Sequence, residues 1–136
     1  MEIAVRAVYG RVPITVLTPY GSIDGSTYRL LIAAAEDVVA EGCEALLLDL
    51  SEVDYVSTAG LVALQSIAQL MRGEARADDA HGWDAIHSID RDRDEGKQPG
   101  VRLLNPQENV ARSLDMVGLA AYFHIYHDEA EAVEAF

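Results

Sequence analysis

The chain has a single cysteine, Cys43, so no internal disulfide can form and a packed core must hold the fold. That usage suits a reducing cytoplasm, the expected location, and Cys43, just before an apolar run, reads as a small inert hydrophobe. Cations are scarce as well: 10 Lys and Arg stand against 23 Asp and Glu, a formal net charge of −13. Nucleic-acid phosphates and anionic membranes both require clustered cations, so neither is an expected partner. An acidic surface suits contact with basic or neutral protein surfaces. No apolar run approaches the ~20 residues of a membrane helix. The opening MEIAVRAVYG lacks the basic start and long apolar stretch of a signal peptide.

The usual marks of catalysis are missing too. There is no Gly-rich phosphate loop of the Walker or dinucleotide type. No Cys or His cluster has structural zinc spacing; His81 and His87 lie near several aspartates but match no ligand pattern. Ser57 is not in a G-x-S-x-G elbow. Asp24, Asp49 and Asp54 fall near strand ends, where carboxylates ordinarily serve turns and caps. A small enzyme built on Asp49, Asp54 or Thr58 would need a nucleophile–base pair, and none is readable. The expectation is a non-enzyme, with no catalytic residue, no cofactor and no metal.

What is present is a chain of 136 residues, half of them hydrophobic, which suits one domain over 1–136 with one core. Glu2–Tyr9 reads as a strand. Gly10-Arg11 suits a type II′ turn with Gly at the first central position, and Val12–Leu17 reads as the return strand with Pro13 at its start or on an edge. Pro19-Tyr20-Gly21 breaks it. Ser26 is placed to cap a helix whose apolar positions are Leu30, Leu31, Ala34, Ala35, Val38 and Val39, with Gly42 as its stop. Ala45–Leu50 is apolar on nearly every position, the mark of a strand covered on both faces. Leu61, Leu64, Ile67, Ala68 and Met71 keep helical spacing, and Gly73 is placed to end that helix.

Residues 74–99 are charged and without a steady period, so a flexible insertion is expected there, with Trp83 and Ile86 its apolar exceptions and Trp83 the residue through which it could touch a partner. Val101–Leu104 reads as a short strand. Asn105-Pro106-Gln107-Glu108 suits a helix start with Asn105 as cap; Val110, Leu114 and Val117 are its apolar face and Gly118 its end. Tyr122–Tyr126 reads as a strand. Asp128 with Glu131 resembles a capping box for a last helix that turns Ala130, Val133 and Phe136 inward. The predicted class is α/β: a mixed β-sheet of four to five strands, begun by a β-hairpin and covered by about four helices.

The stretch Ala45–Met71 carries the functional signal. Two adjacent hydroxyls, Ser57 and Thr58, stand where a buried strand and polar turn give way to a helix. Free backbone N–H groups and the positive dipole end gather at such a start. A hydroxyl there can be a plain cap, or a point at which an added phosphate is tolerated.

Three segments resemble the STAS domain family of anti-sigma factor antagonists and related modules. Tyr20-Gly21-Ser22-Ile23-Asp24 resembles the family's turn before the first helix. Leu48 through Leu61, LDLSEVDYVSTAGL, resembles its strand, turn and phosphoacceptor loop. Val101–Leu104 through Met116-Val117-Gly118-Leu119 and Phe123 resembles its closing strand, helix and Gly-Leu turn. The resemblance covers most of the chain outside residues 74–99. It implies an anti-sigma factor antagonist, a transcription regulator working by partner switching. The implied partner is an anti-sigma factor that is also a serine-threonine kinase, with a phosphatase to reverse the cycle. It implies Thr58 as phosphoacceptor, two residues before Gly60; Ser57 stands where the family often has Asp and is a second candidate. Asp24, Ser57, Thr58, Ala59, Gly60 and Leu61 would contact the partner, and the kinase would supply nucleotide and metal. The alternative is a STAS scaffold or subunit that is never phosphorylated and acts through protein contacts or a small bound ligand.

Overall fold

The computed structural model describes residues 1–72 and 98–136. The expectations for Gly73, His81, Trp83, Ile86 and His87 lie outside the described residues, as does the insertion up to residue 97.

The chain opens as a hairpin of β1 (Glu2–Tyr9) and β2 (Pro13–Tyr20), paired antiparallel from Glu2↔Tyr20 to Tyr9↔Pro13. That register leaves Gly10, Arg11 and Val12 in the loop, and Gly10 is not among the positive-φ residues, so the two-residue type II′ turn is not formed. The reason for glycine is packing instead: a Cβ on Gly10 would lie 2.6 Å from Val133 Cγ1. β2 also runs further than expected, through Pro19 to Tyr20. The Thr15 N–H donates to Ala45 O on the far side from β1. Odd-numbered residues of β2 therefore face that side, and Pro13 and Pro19 fall beyond the paired stretch Thr15–Leu17, where their missing N–H groups cost no ladder bond.

Three parallel strands follow: β3 (Leu46–Asp49), β4 (Gln98–Leu104) and β5 (Phe123–Tyr126). The sheet order is β1-β2-β3-β4-β5, so each crossover steps one strand in the same direction. Right-handed crossovers of that kind put their helices on one face. Those helices are α1 (Tyr28–Ala40) and α2 (Thr58–Met71), then α3 (Glu108–Met116) with the single turn α4 (Leu119–Tyr122). They bury Leu31, Leu64, Leu114 and Tyr122 against Leu17, Leu46, Leu48, Val101 and Leu103. The opposite face carries Ile14, Val16, Leu47 and Leu104 under α5 (Glu129–Ala135), through Ala132. Leu46, Leu47 and Leu48 are all 0% exposed because alternate side chains enter two different cores. The expectation of a strand covered on both faces is met, and the α/β mixed sheet has five strands.

Several boundaries differ from the sequence reading. α1 begins after Thr27, not at a Ser26 cap, and Leu30 on its first turn is 49% exposed. Its end follows the expectation: Gly42 takes φ 99°, with Gly42 N–H on Val39 O and Cys43 N–H on Val38 O, a Schellman stop. Asn105 adopts φ 51° and cannot cap; the extended Gln107 precedes α3 instead. β4 starts at Gln98, three residues early, and Tyr122 ends a helical turn before β5 rather than starting the strand. On α5 the Asp128 carboxylate accepts from Glu131 N–H as expected, but Ala132 is buried and Ala130 is exposed.

Candidate functional site

The loop from β3 to α2 is pinned from below and from both sides. Leu50, Val53 and Val56 sink into the core, while the Leu50 N–H donates to Leu104 O at 2.9 Å. The Asp49 carboxylate accepts from Ser51 N–H at 3.1 Å, so this residue serves the turn. On one side the β2–α1 loop is laced to it. Gly21 N–H donates to Glu52 O (3.0 Å), Ile23 N–H to Tyr55 O (2.9 Å) and Ser57 N–H to Ile23 O (2.9 Å). The Ser22 hydroxyl adds a bond to the Asp54 carboxylate at 2.9 Å. On the other side Gln107 Nε2 donates to Ser51 O (3.0 Å) and Asn109 Nδ2 to Asp54 O (2.6 Å).

This lacing delivers the backbone of α2 close against the β2–α1 loop. Ile23 and Val56 form a one-residue parallel bridge, and Gly60 sits against both. A Cβ at position 60 would overlap the Ile23 carbonyl oxygen and lie 2.7 Å from Val56 Cγ1, so only glycine lets the helix approach.

The two hydroxyls then part company. Ser57 is extended at φ −83°, ψ 179°, half-buried, and its Oγ accepts from Gly60 N–H at 3.3 Å; it is the cap of α2. Thr58, one residue on, is exposed and its hydroxyl makes no hydrogen bond with the described residues. The Thr58 and Ala59 N–H groups, in the first turn, likewise find no acceptor there. An exposed alcohol thus stands over free donors at the positive end of a helix, a place that favours an anion.

Of the other residues expected at the site, Asp24 and Ala59 are half-buried beside it, whereas Gly60 and Leu61 are buried. Gly60 and Leu61 are therefore packed into the base of the loop. The Asp24 carboxylate accepts from the Ser26 hydroxyl (2.7 Å), Ser26 N–H (2.9 Å) and the Thr27 hydroxyl (3.3 Å). These donors, Ser26 foremost, hold its pKa below the ordinary aspartate value and keep it ionised. Sequence reasoning missed Tyr55, 53% exposed in the same loop, and the Asn109 and Gln107 props. An aromatic set among polar turn residues was the available sign for Tyr55; nothing in the sequence marked the props. Among the described residues no three His, Cys, Asp or Glu side chains are grouped to hold a metal, and no helix is long and apolar enough to cross a membrane.

A mixed α/β sheet here displays a helix-start hydroxyl between two laced loops. The STAS domain family profile matches residues 6–76, and the chain belongs to that family. No curated protein sequence matches it. Among solved structures it is similar to an anti-sigma factor antagonist from Mycobacterium paratuberculosis, at 22% identity over 98% of this chain and 93% of that one, with TM-score 0.66. A Thermotoga maritima protein described as a candidate anti-sigma factor antagonist matches at 19% identity, 97% and 92% coverage and TM-score 0.71. The phosphorylated form of the Bacillus cell fate determinant SpoIIAA matches at 15% identity, 98% and 97% coverage and TM-score 0.57. At such identities the likeness is one of fold.

Proposed function

We propose that this protein is an anti-sigma factor antagonist that works by partner switching, with Thr58 as its phosphoacceptor. The observation that carries the reading is the division of labour at the start of α2: Ser57 is occupied as cap, and Thr58 is exposed and unbonded. In the unmodified state, Asp24, Ser57, Thr58 and Ala59 dock on an anti-sigma factor that is also a protein kinase, and the sigma factor is released. Tyr55 adds exposed apolar area beside them.

In the kinase complex the Thr58 Oγ1 attacks the γ-phosphorus of ATP. The new O–P bond forms as the bond to the β–γ bridging oxygen breaks; ADP leaves, and the hydroxyl proton passes to a base of the kinase. The product carries about −1.5 to −2 added charge. The free N–H groups of Thr58 and Ala59 stabilise that charge where it stands, so the fold persists. Across a tight interface the same charge has to be desolvated or repelled, which lowers affinity by about two orders of magnitude. A phosphatase restores the docking form.

The test is incubation with the cognate kinase and ATP, read by mass spectrometry. Phosphate appears on Thr58, is absent from Thr58→Ala and persists in Ser57→Ala. Absence of phosphate from both hydroxyls, with no kinase bound, removes the reading. Ser57, a neutral residue before the acceptor, favours the second reading, a scaffold that is never modified. Partner affinity unchanged in Thr58→Asp would select that scaffold.

A further inference from the structure

The far edge of the sheet carries a separate feature that the switch does not use. β1 is the terminal strand, and six of its eight residues are exposed, Val5 at 56% and Tyr9 at 80%. Because the odd-numbered residues of β2 face β3, its even-numbered ones bond to β1, and the hydrogen-bonded pairs are Val8–Ile14, Arg6–Val16, Ala4–Thr18 and Glu2–Tyr20. The backbone groups of Ile3, Val5, Ala7 and Tyr9 therefore point outward and are unpaired among the described residues. An open edge of this length is a template for another strand.

We propose that this edge pairs antiparallel with the same edge of a second copy, in the register centred on Ala4. Two constraints select it. Outward residues have to oppose outward residues, which limits the two-fold registers to centres on a single residue. Of these, the Ala4 centre sets Ile3 opposite the partner's Val5 and Glu2 opposite the partner's Arg6, twice by symmetry. Glu2 and Arg6 lie on the same sheet face, so each contact joins opposite charges in the closely spaced, non-hydrogen-bonded positions. Centring on Arg6 would set two guanidinium groups against each other, and centring on Val5 would leave both charges opposite apolar residues. Edges that avoid self-pairing carry charges of one sign; here the only charges in EIAVRAVY are one of each, at mutually complementary positions. Arg6 already binds Glu129 of α5 but keeps 45% of its side chain exposed, so it can accept a second carboxylate.

The contact is short, about five residue pairs in all, so the dimer is weak, with a Kd on the order of 10–100 µM. Sedimentation equilibrium of the full chain tests it. The mass should rise with concentration toward twice 14.8 kDa. Glu2→Arg, which sets like charges across the axis, should weaken the dimer about tenfold. Val5→Pro, which removes an outward N–H without touching the β1–β2 ladder, should do the same. Glu2→Arg with Arg6→Glu should restore wild-type affinity to within about threefold, since the swap preserves complementarity only in this register. That pair is made in a Glu129→Gln background to remove the carboxylate beside position 6. A monomer at every concentration overturns the proposal. So does a dimer indifferent to Glu2→Arg and Val5→Pro, or a folded double swap that fails to recover.

Discussion

Two helices of this chain start alike in sequence: Ser26-Thr27 precede α1 and Ser57-Thr58 stand at the head of α2. Ahead of α1 both hydroxyls are spent inside the loop. Ser26 donates to Asp24, while Thr27 donates to Ser22 O at 2.8 Å and accepts from Asp24 N–H at 2.9 Å. Ahead of α2 only Ser57 is spent, and Thr58 keeps its alcohol exposed. The chemistry available at the two starts is the same; what differs is an internal acceptor. Asp24 accepts from Ser26 and lies within reach of Thr27, whereas Asp54, a carboxylate of the loop leading into α2, is bound by Ser22. A helix-start hydroxyl stays free when its loop has no use for it.

The sharpest way to break that contrast is to place charge at each start. Thr58→Asp should lower affinity for the proposed anti-sigma partner about a hundredfold, measured by calorimetry, with folding stability unchanged, while Thr27→Asp, which disturbs the bonds to Ser22 O and Asp24 N–H, should lower stability itself. A Thr27→Asp variant as stable as the wild type would make the two starts equivalent and remove the argument. Kinase treatment should likewise leave Ser26 and Thr27 unmodified in the same mass spectra that show Thr58 phosphorylated.

Next in size is Gly60→Ala. The new methyl meets the Ile23 carbonyl and Val56, so denaturant unfolding should show a loss of about 2 kcal/mol. The strain falls on the lacing that aims Thr58, so phosphorylation of the folded fraction should slow as well. Ser57→Ala removes one cap bond and should cost about 1 kcal/mol, with Thr58 still modified. If the modification fails in that folded variant, Ser57 does more than cap.

The smallest effect sharpens the α1 side. NMR titration of the Asp24 carboxyl should give a midpoint below the ordinary aspartate value, moving upward in Ser26→Ala. The folded pKa is depressed, so the unfolded chain binds more protons in this range. The associated stability is present above the unfolded pKa and is lost as pH falls through the folded one. An unshifted midpoint would mean that Asp24 does not hold those hydroxyls in solution.

Much of this was legible in the residues. Burial of β3 on both faces followed from Ala45–Leu48, and the α1 stop from Gly42, because apolar runs and left-handed glycines act locally. The loop before α2 was legible as far as its two adjacent hydroxyls. The misread starts have separate causes. Ser26 and Asn105 are good caps by composition, but the Ser26 hydroxyl is spent two residues back on Asp24, and Asn105 takes a left-handed backbone that cannot cap. The hairpin turn was misread because Gly10 answers to Val133, more than a hundred residues away.

The sequence alone determined the class of sheet, its long apolar middle strand and the position of the Ser57-Thr58 pair, since periodicity and helix-start chemistry act over a few residues. The tertiary structure decided which oxygen is free. It did so by bringing Ile23 and Gly60 into contact and by lacing the Gly21–Asp24 and Glu52–Ser57 loops together. Those contacts join segments some thirty residues apart, and no local pattern encodes them.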